Sequence, residues 1–152
     1  MTEQGLLPTL SASDVAYLFL AWANKDGDLI SNLKMQKLLY YAQAWHLVHF
    51  DQPLFNNSIE AWEFGPVVPS VYHEFKVFGS SPIEYSEKTD VESLFREDQL
   101  EFLKEFYGTF IKFTAHELVS MTHAEKPWID AEKKGKSSPI DNKECIMPMK
   151  LA

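Results

Sequence analysis

Cysteine is nearly absent from this chain of 152 residues, which contains only Cys145. A single thiol excludes an internal disulfide and a zinc site built on several cysteines. Residues 1–10 carry no basic residue ahead of their leucines, a pattern that is not typical of a secretory signal. The sequence therefore predicts a cytoplasmic protein with a reduced thiol.

Long hydrophobic runs and positive charge are also scarce. The longest apolar runs, Val15–Ala23 and Leu38–Val48, are well short of the about 20 residues that a membrane helix needs. The chain has 14 Lys and Arg against 22 Asp and Glu, which gives a formal net charge of -8. Because this charge repels phosphate backbones and anionic lipid, we expect neither general membrane binding nor general nucleic-acid binding.

Motifs for catalysis are missing as well. The six glycines are scattered and form no phosphate-binding loop. His46 and His49 share a predicted helix face without a carboxylate at helical spacing. His116 and His123 lie too far apart for a His-Glu-x-x-His site around Glu117. We therefore predict a protein that is not an enzyme and that holds no metal or cofactor. The weakest alternative is a metal-dependent hydrolase that uses His116, Glu117 and His123.

Apolar and aromatic residues, by contrast, are abundant, at 45% and 14% of the chain. This content suffices for one domain with a core of its own. Capping residues Ser11, Ser31 and Thr114 stand directly before helical patterns, and Gly135 follows the last one. Helices are predicted at 13–24, 32–50, 69–78, from 97 along an apolar stripe to 113, at 115–122 and at 127–134.

The first predicted strand leads into the stretch EAWEFGPVVPSVYHEF, Glu60–Phe75. Residues 58–64 alternate as a short strand does, and Gly65-Pro66 is expected to end it. A second strand at 83–86 is expected to pair with the first. The predicted fold class is mainly α, a compact single-domain helical bundle with a small two- or three-stranded β-sheet. Its core is expected over about 13–135, followed by a partly ordered tail at 136–152.

Two lysines mark the beginning of the second predicted helix. Lys34 and Lys37 are expected to reach the surface there, where a positive charge opposes the helix dipole. This mild misfit favours acidic side chains facing them, on this chain or on a partner, although simple solvation is the more common arrangement for surface lysines.

Three stretches together resemble the Panacea domain family, which includes GepA-like phage-associated proteins and SocA-like antitoxins. They are KMQKLLYYAQAWHL (34–47), EAWEFGPVVPSVYHEF (60–75) and HELVSMTHAEKPWIDA (116–131). The residues that match the family motifs are Trp62, Gly65, Pro66, Val67, Pro127 and Trp128.

The resemblance implies the antitoxin of a toxin–antitoxin system, which neutralises a protein toxin encoded by a neighbouring gene by direct binding. It also leaves open a proteolytic adaptor that delivers a partner to a ClpXP-type protease. The residues predicted to contact the partner are Lys34, Lys37, Trp62, Phe64, Tyr72 and Trp128. The alternative for the aromatic members is that they only close the core.

Overall fold

The computed structural model describes Leu7 and residues 10–86, 90–135 and 138–140, with side chains omitted at 126–128, 132 and 138. Its elements in chain order are α1 (Ala12–Asp26), α2 (Asn32–Phe50), β1 (Glu60–Trp62), β2 (Gly65–Val67), α3 (Pro69–Phe75), α4 (Glu97–Phe110), α5 (Ala115–His123), α6 (Lys126–Lys134) and β3 (Ser138–Pro139). Short 3-10 helices lie at Lys76–Phe78 and Val91–Leu94. The predicted mainly α fold with a small sheet is confirmed.

Local capping explains where several helices begin. The Ser11 hydroxyl accepts a hydrogen bond from the N–H of Asp14, whose carboxylate accepts from the N–H of Ser11. Thr114 and Glu117 form the same reciprocal box before α5. These pairs satisfy backbone donors that the first turn of a helix leaves without partners. The predicted starts are therefore accurate to about one residue.

Helix α2 is the centre of the fold. It contacts α1, α3, α4, α5 and β2, and residues Leu38–Ala42 are almost completely buried. Around it, Phe19 of α1 packs against Phe106 and Tyr107 of α4 with ring centroids 5.9 and 5.8 Å apart. The aromatic residues thus supply much of the core, as their large apolar area suggests.

The sheet differs from the prediction. Strands β1 and β2 form an antiparallel hairpin with Glu63 and Phe64 at its turn, and β3 pairs with the other edge of β1. The first strand already ends at Trp62, and Gly65-Pro66, predicted to end it, instead begins the second strand. The strand predicted at 83–86 is wrong, because the Ile83 N–H donates to the Ile30 carbonyl at the α1–α2 connection.

The last described residues extend the sheet from within the predicted tail. The N–H of Ile140 donates to the carbonyl of Ile59 at 2.8 Å, and the Ile140 side chain is buried. Positions 136–137 and 141–152 lie outside the described residues, so the rest of the predicted tail stays a prediction. Within the described ranges, no helix is both long enough and apolar enough to cross a membrane.

Candidate functional site: an aromatic groove beside the β1–β2 hairpin

Two polar side chains of α2 hold the start of α3. Gln36 accepts a hydrogen bond from the Val68 N–H at 2.9 Å and donates to the Asn32 amide oxygen at 2.9 Å. Asn32 in turn donates to the Tyr72 carbonyl at 3.0 Å. Both side chains are buried. Buried polar groups are costly without partners. This chain of hydrogen bonds therefore holds the connection from β2 to α3, residues 65–69, in one arrangement, and we call this segment the corner.

Lys37 also holds the corner in place. The prediction that Lys37 reaches the surface is wrong. Its side chain is 0% exposed, and its ammonium donates to the Pro66 carbonyl at 2.9 Å. Burial lowers the pKa of Lys37 from 10.5 to about 7. Within the described residues no carboxylate forms an ion pair with it. The β1–β2 hairpin, which is remote in sequence, covers the turn of α2 that carries Lys37. The sequence alone predicts that this turn is exposed to solvent.

Gly65 makes this approach possible. Its φ of +108° lies in a region that side chains disfavour. A Cβ at this position would stand 2.7 Å from Lys37 Cε and 2.7 Å from Thr122 Oγ1. The Gly-Pro pair of the family motif is therefore an architectural element of the corner.

Above this corner lies a groove of about 450 Å³, which we call the hairpin groove. Its lining includes the predicted contact residues Trp62, Phe64 and Tyr72, together with Val67 and Leu33. The Trp62 and Tyr72 rings meet edge to face at 4.9 Å. Phe64, at the hairpin turn, is 58% exposed, although it is a large apolar side chain. The structure thus brings three of the predicted contact residues together.

The remaining predicted contact residues lie elsewhere or are not described. Lys34 is half-buried and donates to the carbonyl of Ile111 at 2.7 Å. Burial lowers its pKa, while Asp28 and Glu117 act to raise it. The acidic side chains that act on the charge of Lys34 therefore belong to this chain. Pro127 and Trp128 lie in α6, but their side chains are outside the described residues, so their predicted roles stay predictions.

His46, at the other end of α2, is a buried structural group. Nδ1 of His46 lies 2.7 Å from the Gln52 carbonyl, which can only accept, and Nε2 lies 3.2 Å from the Gln99 amide nitrogen. Burial lowers the pKa of His46 to about 4, so the ring is neutral near pH 7. Across the described part of the chain, no three His, Cys, Asp or Glu side chains are grouped as metal ligands.

Asn32 and Gln36 are the important residues that sequence reasoning missed. Their spacing of four residues places them on one helix face, directly before the part of α2 that is apolar on nearly all sides. That pattern was the available signal, but it does not reveal which distant backbone groups the two side chains bind.

Comparison with known proteins agrees with the motifs of the corner. The family model described as "Antitoxin SocA-like, Panacea domain" matches residues 35–129. Antitoxin SocA of Caulobacter vibrioides (strain NA1000 / CB15N) is 36% identical to the chain over 130 residues, which cover 79% of this chain and 69% of that protein. No solved structure matches the chain. The chain therefore belongs to the SocA-like antitoxin family that carries the Panacea domain.

Proposed function

We propose that this protein is an antitoxin that neutralises a protein toxin, encoded by a neighbouring gene, through direct binding and without catalysis. Membership of the family supports an antitoxin role, and the relative from Caulobacter vibrioides bears the name of an antitoxin. The proposed mechanism is occlusion, in which the bound antitoxin covers the surface with which the toxin acts.

The exposed aromatic wall of the hairpin groove is the observation that carries this proposal. Phe64 remains 58% exposed beside Trp62 and Tyr72, while the backbone beneath it is held by buried hydrogen bonds. Exposed apolar patches on a rigid base are typical of protein interfaces, where a few aromatic residues contribute most of the binding free energy. Because the corner is pre-formed, little ordering cost opposes binding.

Co-expression with the product of the neighbouring gene tests the proposal. We expect the neighbour to be toxic alone, harmless with this chain, and to elute with it as a complex. Phe64→Glu should abolish co-elution and protection, because it places a charge where apolar contact is expected. Leu94→Glu is the matched control, since Leu94 is 45% exposed and does not line the hairpin groove.

Two results would contradict the proposal: a neighbour that is harmless alone, or a toxin that does not elute with the wild-type chain. Equal binding by the Phe64 and Leu94 variants would show that the toxin does not bind at the hairpin groove. The half-life of the toxin in the same cells separates the two modes of action. Occlusion leaves the toxin abundant and inactive, whereas delivery to a ClpXP-type protease shortens its half-life.

A further inference from the structure

Two charged side chains of opposite sign line the hairpin groove. Glu63 lies at the hairpin turn, and Lys76 begins the 3-10 helix after α3. Both are exposed, and neither forms a hydrogen bond or an ion pair with any described residue, including each other. A carboxylate and an ammonium in one groove are therefore both available to a binding partner.

The Trp62 ring contributes apolar surface to the groove although it carries a polar N–H. The indole N–H of Trp62 donates to Glu60 at 2.9 Å, so this donor is already satisfied and the ring offers apolar surface. The groove volume of about 450 Å³ exceeds that of a single side chain and suits a few side chains of one segment.

Backbone pairing with β2 is blocked at the groove. Proline has no N–H, and the Pro66 carbonyl already accepts from Lys37. Along the same edge of the strand, the N–H of Val68, two residues after Pro66, donates to Gln36. A segment that enters the groove must therefore be recognised by its side chains and not by addition of a strand to β2.

We propose that the hairpin groove receives one amphipathic segment of the toxin, in which a large apolar side chain lies between a basic and an acidic residue. The apolar side chain packs against Trp62 and Phe64, the basic residue faces Glu63, and the acidic residue faces Lys76. This inference rests on the proposed function, because the occupant is the toxin. Charge complementarity at the exposed side chains of Glu63 and Lys76 supports it.

Charge reversal in matched pairs tests the inference with purified toxin and full-length variants. Glu63→Lys and Lys76→Glu change the groove, whereas Glu101→Lys and Lys104→Glu make the same changes in net charge on exposed positions of α4. We expect each groove variant to raise Kd about tenfold or more, because it opposes a charge on the toxin. Each α4 variant should stay within about threefold, as expected for long-range attraction alone.

A second measurement identifies the occupant directly. A photo-crosslinking amino acid at position 64 should capture one toxin segment with a basic and an acidic residue close to a large apolar one. The same amino acid at position 94 should capture no such segment. Circular dichroism of every variant confirms that it folds before binding is compared.

The outcomes separate this inference from the proposed function. If the wild-type chain binds and neutralises the toxin while groove and α4 variants are equivalent, the groove inference is overturned and the proposed function stands. A captured segment without the two charges also overturns it. If the wild-type chain neither binds nor neutralises the toxin, the proposed function itself fails.

Discussion

The two ends of α2 use the same structural device with different consequences. At the N-terminal end, Gln36 accepts the Val68 N–H. At the C-terminal end, Gln43 accepts the N–H groups of Leu54 and Phe55 at 2.7 and 3.2 Å. In both places a buried side chain replaces the partners that an irregular backbone segment would otherwise lack.

The difference lies in what surrounds each end. At the C-terminal end, His46 packs against Phe50 and Phe102, and its ring nitrogens are both engaged. At the N-terminal end, the held segment leads directly to the exposed Phe64. Buried polar side chains of α2 are therefore structural at both ends, and only exposure singles out the hairpin groove as the candidate binding site.

The two ends of α2 should differ in the pH at which stability changes. The largest expected effect comes from Lys37. Its folded-state pKa of about 7 lies below its ordinary 10.5, so the unfolded chain binds more protons between these values. Stability therefore rises with pH across that window, by about 4–5 kcal/mol for this group. Lys37→Met should remove this rise in urea unfolding measured from pH 7 to 10, whereas Lys104→Met should retain it. A rise that persists in Lys37→Met would contradict the burial of a lysine that loses its charge.

His46 should give the corresponding effect at acidic pH. Because its folded-state pKa is about 4 and its ordinary value 6.5, the unfolded chain again binds more protons between them. Stability should be fully present above pH 6.5 and fall by about 3 kcal/mol as the pH drops to 4. His46→Gln should flatten this part of the unfolding profile, and the exposed His116→Gln should not. Equal acid sensitivity of the two variants would show that His46 is not the responsible group.

Adding a methyl group at Gly65 tests how closely the β1–β2 hairpin packs against α2. Gly65→Ala combines a strained φ with contacts of 2.7 Å to Lys37 and Thr122, and should cost about 2–3 kcal/mol. Gly27→Ala is the control, because its φ of +78° is also positive but nothing lies within 4 Å of the added Cβ. It should cost about 1 kcal/mol. Equal unfolding midpoints for the two variants would contradict the close packing beneath Gly65.

The smallest effect compares the two glutamines directly. Gln36→Leu and Gln43→Leu each leave buried backbone groups without partners and should each cost about 2 kcal/mol of stability. Only Gln36→Leu should also weaken toxin binding, since only Gln36 holds the segment beneath the groove. Calorimetric titration at a temperature where both variants are folded measures this. Equal affinities would mean that the corner does not organise the binding surface.

Much of the fold follows from local chemistry, and the exceptions are nonlocal. The Ser11 and Thr114 caps and the burial of Leu38–Ala42 follow from residues within one or two turns. The burial of Lys37 does not, because its partner Pro66 is 29 positions away. Of the site, the clustering of Trp62, Phe64 and Tyr72 could be anticipated from the motif, whereas the roles of Asn32 and Gln36 required the tertiary arrangement.

Hydroxyl-radical footprinting of this protein, free and bound to the purified product of the neighbouring gene, shows directly which surface the partner covers. We expect Trp62, Phe64 and Tyr72 to become protected in the complex while Leu94 stays equally reactive. A stable complex in which Phe64 keeps its free reactivity would contradict the assignment of the hairpin groove as the binding surface.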